Sequence, residues 1–140
     1  MTQAIAYLAF DGNCAEAFRH YERVIKGKLE ILMSGGDSPM RDQMPKEFHD
    51  AIIHARLVLP GGGTIYGGDA PKHVPYQGIH GVSITLDFDT IAEATRVFNA
   101  LADGGRIDMP MQPAFWAKTW GMCTDKFGCP WIINGEPIPF

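Results

Sequence analysis

Hydrophobic residues recur at intervals of three and four in two segments of the chain, a pattern typical of amphipathic helices. One predicted helix runs from about Cys14 to Lys26, and the other runs from Ile91 to about Asp103. We expect the apolar side of each helix to be buried. Its positions are Cys14, Ala17, Phe18, Tyr21, Val24 and Ile25 in the first helix and Ile91, Ala94, Val97, Phe98 and Leu101 in the second.

Eight shorter segments have the apolar or alternating pattern of β-strands. Glycine-containing turns at Pro60–Gly63 and Asp125–Gly128 each separate two of them. A mobile loop is predicted at Ser34–Asp50, with one helical turn near Pro45, and a linker at Asp69–Gly78 contains two prolines. The predicted strands are 5–10, 29–33, 52–59, 64–67, 81–88, 106–109, 115–124 and 131–134.

The first helix is repeated in the second half of the chain. Segment Ala15–Tyr21 returns as Ala92–Phe98, 77 residues later. Each copy follows a short polar residue placed three positions before a glutamate, which predicts a capping box, and each precedes a glycine suited to a helix C-cap. These residues are Asn13, Glu16 and Gly27 in the first copy and Thr90, Glu93 and Gly104 in the second. Since all parts repeat in the same order, they indicate a duplicated module.

The order strand, helix, three strands therefore occurs twice, and it predicts an α+β fold of two pseudo-symmetric βαβββ modules. One four-stranded sheet with one helix leaves its second face uncovered. We expect a single domain, residues 1–140, in which modules 1–70 and 78–140 curve into a shared half-barrel with the helices outside. The concave inner face is then the expected cleft for a ligand.

Composition and charge narrow the classes of function. The net charge of −4 comes without any cluster of lysine or arginine, so we expect no nucleic-acid partner. No apolar run is long enough to cross a bilayer and no secretory signal is recognised, so we expect no membrane partner. The three cysteines, Cys14, Cys123 and Cys129, are odd in number and form no C-x-x-C pair. This favours a reducing, cytoplasmic location over a disulfide framework.

Five segments carry a resemblance to a known family. They are YLAFDGNCAEA at 7–17, GGDAP at 67–71, FNALADGG at 98–105, FWAKTWGM at 115–122 and TDKFGCPW at 124–131. In these the chain resembles the vicinal oxygen chelate superfamily of glyoxalase I, bleomycin-resistance proteins, fosfomycin-resistance enzymes and extradiol dioxygenases, and most of all its PhnB-like branch. The resemblance implies the glyoxalase/bleomycin resistance/dihydroxybiphenyl dioxygenase fold and a homodimer.

This branch is often labelled a 3-demethylubiquinone-9 3-methyltransferase domain, which would imply bound S-adenosylmethionine. A Rossmann-type methyltransferase needs a parallel sheet and a glycine-rich turn after its first strand. Here the first strand is followed by Asp11-Gly12-Asn13, which lacks a G-x-G pattern, and Gly61–Gly63 lies in a hairpin. The sequence therefore predicts no site for this cofactor.

The resemblance also implies where a divalent metal would bind, because metal-dependent relatives hold it with side chains of the first and last strands of each module. Carried over to this chain, those positions are Ala6, Ser83, Tyr66 or Gly67, and Ile132, with Tyr7 and Asn134 reached by a shift of one or two residues. None is a histidine or a carboxylate, so we expect no bound metal.

An aromatic cluster is the main candidate for ligand binding. Trp116, Lys118 and Trp120 alternate along a predicted strand and share one face. Two tryptophans with a lysine between them suit a flat or anionic ligand through stacking and charge. Core packing or a dimer contact explains the same pattern and stays open. Tyr7, Tyr66 and Met122 are further candidates for the same cleft.

The histidines give a weaker indication. His54 and His80 start two predicted strands. They either meet solvent there or approach each other across the cleft as a pair that binds or deprotonates a ligand. Cys14 lies near a helix start, where a thiolate is favoured, but its apolar position predicts burial. No catalytic residue is assigned.

Three functions follow from these features. The first, implied by the resemblance, is binding of a small polar or aromatic molecule in the cleft without a metal or other cofactor. The alternative is a divalent-metal-dependent enzyme of the glyoxalase or dioxygenase type with atypical ligands such as His54 and His80. The third is an interaction module whose aromatic cluster forms a subunit interface.

Overall fold

The computed structural model describes all 140 residues, which divide into two compact units, Met1–Gly78 and Ile79–Phe140. Each unit has the predicted order of one strand, one helix and three strands, so the α+β fold of two βαβββ repeats is confirmed. The first unit contains β1 (Ala6–Phe10), α1 (Cys14–Ile25), β2 (Lys28–Ser34), β3 (Ile52–Val58) and β4 (Thr64–Asp69). The second contains β5 (Ile84–Phe88), α2 (Ile91–Ala102), β6 (Arg106–Gln112), β7 (Ala117–Thr124) and β8 (Pro130–Pro137).

Each unit forms one mixed four-stranded sheet. The strand orders are β1-β4-β3-β2 and β5-β8-β7-β6. The first strand runs parallel to the last in each sheet, and all other neighbours are antiparallel. The two predicted turns connect the antiparallel hairpins, and Gly61 and Gly62 adopt φ of +92° and +101° in the first of them. That conformation is open to glycine at little steric cost.

One helix packs on one face of each sheet and forms the core. All six apolar positions predicted for α1 are buried, and the ring of Phe18 lies against Gly67, where a Cβ would come within 2.6 Å of it. In α2 the prediction holds except at Ile91, whose side chain is 41% exposed. Ile91 is the first residue of the helix. Periodicity places a residue on a helix face, but it does not show how far along the axis the packing extends.

The two predicted N-caps differ in outcome. Thr90 accepts a hydrogen bond from the Glu93 amide at 3.1 Å, as expected of an N-cap. Asn13 caps nothing, because its side-chain oxygen is buried without a hydrogen-bond partner. The Cys14 amide instead donates to Asp69 Oδ1 at 3.0 Å. A carboxylate from β4 has replaced the local cap at the start of α1.

The exit glycines also differ. Gly104 has φ of +76°, as expected after a helix, but the left-handed residue after α1 is Lys26, with φ of +63°. Gly27 has another role, since a Cβ there would come within 2.6 Å of the Val58 carbonyl oxygen. It permits close approach of the chain to β3 and is not the C-cap that the repeat predicted.

Several strands have bounds that differ from the predicted ones, because pairing with neighbouring strands determines where they begin and end. β5 begins at Ile84 instead of Gly81, since Ile84 is already opposite Trp131, near the start of its partner β8. β6 continues through Pro110, which an edge strand tolerates because one side of its backbone has no partner.

Two short 3₁₀ helices, at 41–43 and 46–48, lie where one helical turn was predicted. No helix has the length and apolar character needed to cross a membrane.

Candidate functional site

Each sheet has one face covered by the helix of its own unit; we call the opposite one its open face. Along β7, Ala117, Thr119, Gly121 and Cys123 are buried toward α2. Alternation therefore places Lys118, Trp120, Met122 and Thr124 on the open face of the second sheet, together with Ile132 and Asn134 of the neighbouring β8.

The open face of the second sheet carries a pair of tryptophans. The rings of Trp116 and Trp120 have centroids 5.1 Å apart at an interplanar angle of 54°. Trp116 Nε1 donates to Asn134 Oδ1 at 3.0 Å, and Asn134 Nδ2 donates to Asp87 Oδ1 at 2.9 Å. This chain of bonds fixes the orientation of Trp116. In the sequence, Asn134 was noted only as a residue one or two positions away from a predicted metal ligand. Its hydrogen bond to Trp116 depends on the pairing of β8 with β7.

Lys118 lies between these tryptophans, as predicted, but its charge is already paired. Its Nζ is 2.9 Å from Glu136 Oε1. The hydrogen bond from Lys118 lowers the pKa of Glu136, with smaller help from its charge and from a backbone bond of Ile91. Lys118 is therefore not a free cation for an anionic ligand.

A pocket of about 440 Å³ lies at the other end of the same face. Arg106 Nε donates to Asp108 Oδ1 at 2.5 Å, and Arg106 Nη2 donates to Thr124 Oγ1 at 3.1 Å. Thr124 Oγ1 donates in turn to Asp108 Oδ2 at 2.7 Å. The bonds from Arg106 and then Thr124 lower the pKa of Asp108, so it is ionised at neutral pH. We call this the polar pocket; its lining is Ile79, His80, Gly81, Val82, Ser83, Arg106, Asp108, Thr124, Pro130 and Ile132.

Arg106, Asp108 and Thr124 were not among the site residues predicted from the sequence. A signal was present, because Arg106 and Asp108 alternate on one predicted strand and Thr124 ends another. Only the register of β6 against β7, which sets Arg106 opposite Thr124, brings the three together. His80 also lines this pocket, but it precedes β5 and does not start it, which corrects its predicted position.

The open face of the first sheet brings together Tyr7, His54 and Tyr66, all predicted site residues. The rings of His54 and Tyr66 meet edge to face with centroids 5.1 Å apart. The Arg56 guanidinium is 6.0 Å from the Tyr66 centroid and 3.4 Å from Glu30. Aromatic, imidazole and guanidinium groups thus share this face.

Tyr7 is held on that face through its hydroxyl group. The hydroxyl donates to the Ile53 carbonyl oxygen at 3.3 Å and lies over Gly68, where a Cβ would overlap it. Burial of the hydroxyl raises the pKa of Tyr7, with smaller effects from Cys14 and Asp69. Tyr7 therefore acts as a hydrogen-bond donor at neutral pH.

The sequence also predicted that His54 and His80 approach each other across the cleft. Because His80 belongs to the other unit, that approach stays a prediction.

The positions at which metal-dependent relatives hold their ion do not suit a metal here. Tyr66, Ser83 and Ile132 lie on open faces, whereas Ala6 alternates with Leu8 and Phe10, which are buried toward α1. Tyr7 is the residue of β1 that faces the open side. The chain has no group of three or more histidine, cysteine, aspartate or glutamate side chains placed to hold an ion.

The cysteines are expected to be unreactive in the folded protein. Burial raises the pKa of Cys14 and of Cys123 to about 12, with smaller contributions from Asp69 and Asp125 respectively. At about pH 8 both groups are therefore thiols and not thiolates. Treatment with dithiobis(nitrobenzoate) should release chromophore slowly from folded protein and rapidly, for all three free cysteines, after unfolding in guanidinium. Fast reaction of Cys14 in the folded state would contradict its predicted burial.

Comparison with known proteins gives the family. A family model described as 3-demethylubiquinone-9 3-methyltransferase matches residues 2–134. Protein YjdN of Escherichia coli (strain K12) is 36% identical over 137 residues, which cover 91% of this chain and 91% of YjdN. The crystal structure of protein PA1353 from Pseudomonas aeruginosa is 46% identical, with a TM-score of 0.87 over 96% of this chain and 97% of that chain.

Two more distant solved structures show the fold. The PhnB protein from Bacillus cereus is 22% identical, with a TM-score of 0.74 over 95% of this chain and 98% of that one. A glyoxylase/bleomycin resistance protein/dioxygenase domain from Frankia sp. EAN1pec is 14% identical, with a TM-score of 0.65 over 96% and 98%. The chain therefore has the fold of the glyoxalase/bleomycin resistance/dioxygenase superfamily and belongs, as a PhnB- and YjdN-like member, to the 3-demethylubiquinone-9 3-methyltransferase family.

Proposed function

We propose that this protein binds a small, flat molecule with an aromatic part on the open face of the second sheet, without a bound metal. The observation that carries the proposal is the pair formed by Trp116 and Trp120, with ring centroids 5.1 Å apart and one indole N–H fixed by Asn134. Aromatic rings held in this way offer a preorganised surface for stacking, so little side-chain entropy is lost on binding.

The third tryptophan supplies an internal comparison. Trp131 faces α2, is 1% exposed, and donates its indole N–H to the buried Asp125 at 2.8 Å. That is how a core tryptophan is built in this protein. Trp116 and Trp120 are half-buried and lie on the face that α2 does not cover. The difference favours ligand binding over ordinary core packing as the role of this pair.

The fold does not support the methyl-transfer reaction that the family name suggests. Both sheets are mixed and four-stranded, and neither is the doubly wound parallel sheet of a Rossmann-type methyltransferase. The side chains at the positions of a metal centre also favour binding over metal-assisted chemistry, since alanine and isoleucine supply no ligand atoms. Of the two functions, we therefore propose ligand binding and not metal-dependent catalysis.

Titration with naphthamide, a neutral flat probe, tests this proposal by calorimetry. We expect Trp120→Ala to weaken binding by about tenfold, because it removes a stacking surface. Val74→Ala is the control, since Val74 is 50% exposed and lies in the first unit, outside both the proposed site and the β6 edge. If Trp120→Ala binds as the wild type does but loses a subunit contact in light scattering, the tryptophan pair is an interface and the proposal is wrong.

Two properties expected from the sequence remain part of this proposal. A homodimer is supported by the edge strand β6, which exposes Ile107 and Met109, since uncovered sheet edges favour pairing. Light scattering should then give about twice the chain mass of 15.4 kDa. A cytoplasmic location is supported by three free, buried cysteines.

A further inference from the structure

We propose that the ligand of this face carries an acidic, acceptor-rich group, such as a carboxylate, and that this group binds in the polar pocket around Arg106. The inference rests on the proposed function and narrows its ligand to the class of aromatic acids. It comes from the arrangement of hydrogen-bonding groups in the pocket and from the continuity of the pocket with the tryptophan pair.

The pocket and the tryptophans belong to one continuous surface. Ile132 lines the pocket and is opposite Met122 in the register of β7 and β8. The next pair on the same face is Asn134 opposite Trp120. Trp120 and Thr124, the residue that bonds Arg106, are four residues apart on β7, about 13 Å, a span that an extended aromatic acid and the long Arg106 side chain bridge together. Between them are apolar side chains, which suit the body of such a molecule.

Arg106 supplies the uncommitted charged donors of the pocket. Arg106 has five N–H groups, of which Nε–H is bonded to Asp108 and one Nη2–H to Thr124. Its other N–H groups, and the side chains of His80 and Ser83, form no hydrogen bond within the protein. Both oxygens of Asp108 already accept one. A group rich in acceptors therefore matches the free N–H groups of Arg106.

The positive charge of Arg106 contributes to the preference for an acidic group but is not its main cause. Asp108 offsets much of the charge of Arg106, so recognition depends on the planar guanidinium, which Asp108 and Thr124 hold in place. A guanidinium held in this way is suited to a carboxylate, which accepts two parallel N–H bonds. Lys118 is the other cation on this face, but Glu136 pairs with it at 2.9 Å. Arg106 is paired as well, but its planar guanidinium keeps further N–H groups in fixed directions, whereas Lys118 has a rotatable ammonium group. The pocket is thus the better place on this face for an acidic group.

Naphthoate and naphthamide form a matched pair of probes that differ in the acidic group. By calorimetry on the full-length protein, naphthoate should bind at least about tenfold more tightly than naphthamide, as expected for charge-assisted bonds. Arg106→Gln should reduce this ratio to near one, because naphthoate loses its charge-assisted bonds whereas naphthamide loses at most a neutral one. Arg96→Gln is the control, because Arg96 is also paired with an acid, Glu93, but lies on helix α2. It should retain the ratio.

The outcomes separate the two proposals. If neither probe binds, the proposed function fails. If both bind equally in the wild type, or if Arg106→Gln keeps the preference for naphthoate, the tryptophan site stands and the acidic class is wrong. Circular dichroism checks that Arg106→Gln is folded. Ser83→Ala provides a second variant, expected to weaken naphthoate about threefold by loss of one donor and to weaken naphthamide less, because its carbonyl is uncharged.

Discussion

Asp125→Ala should lower the free energy of unfolding by about 3–5 kcal/mol. Asp125 is 3% exposed, and its carboxylate accepts hydrogen bonds from the amides of Phe127 and Cys129, each at 2.9 Å. Its second oxygen accepts the indole N–H of Trp131 at 2.8 Å. Alanine leaves these buried donors without a partner, and each lost partner costs the desolvation free energy of its donor.

Urea denaturation monitored by circular dichroism measures this effect. Asp125→Asn keeps one acceptor oxygen and should lose about half as much, because the amide oxygen accepts while the amide nitrogen cannot. Lys126→Ala is the matched control in the same turn, since Lys126 is exposed. It should change the free energy of unfolding by less than about 0.5 kcal/mol. Equal effects of Asp125→Ala and Lys126→Ala would show that the turn does not depend on this carboxylate.

Asp69→Ala should lower the free energy of unfolding by about 2–3 kcal/mol, while Asn13→Ala should leave it nearly unchanged. Asp69 Oδ1 accepts from the Cys14 amide at 3.0 Å, and Oδ2 accepts from the Ile52 amide at 2.8 Å. The carboxylate thus fixes the start of α1 and the start of β3 to the end of β4. The Asn13 side-chain oxygen has no partner, so its removal breaks no bond.

The same denaturation experiment decides between the two caps. If Asn13→Ala costs about 1 kcal/mol, as an N-cap substitution does, and Asp69→Ala costs less, the capping box predicted by the sequence is present after all. Thr90→Ala supplies the reference, because Thr90 is an N-cap in the structure and its loss should cost about 1 kcal/mol. The duplicated helix makes this a comparison between two related sites in one protein.

The caps also show where sequence reasoning succeeds and where it fails. Thr90 and Glu93 are three residues apart, so their interaction is local and a short pattern predicts it. Asn13 satisfies the same pattern, but Asp69 lies 55 residues from Cys14 along the chain and still takes the position. A local sequence pattern does not show that a distant carboxylate competes with Asn13 for the start of α1. The exit of α1 is similar, since the close approach to Val58 accounts for Gly27.

The candidate site was also predictable only in part from the sequence. Alternation along one strand was enough to predict that Lys118 and Trp120 share a face. Trp116 precedes β7, which begins at Ala117 and not at Phe115 as predicted. Its contacts with Trp120 and Asn134 bring it to that face. Alternation was not enough to predict that Glu136 pairs with Lys118, or that Arg106 lies opposite Thr124, since each pair joins two strands. The displaced start of β5, which leaves His80 in an irregular segment, likewise depends on where its partner β8 begins.

The sequence by itself determined the elements, their doubling, the buried sides of the helices and the family, because these depend on spacings of a few residues and on motifs within single segments. The tertiary structure decided which carboxylate caps α1, which acid pairs with each cation of the second sheet, and which polar residues meet in a pocket. Those features depend on the register between strands and on contacts between distant segments, and a linear pattern of residues does not specify either.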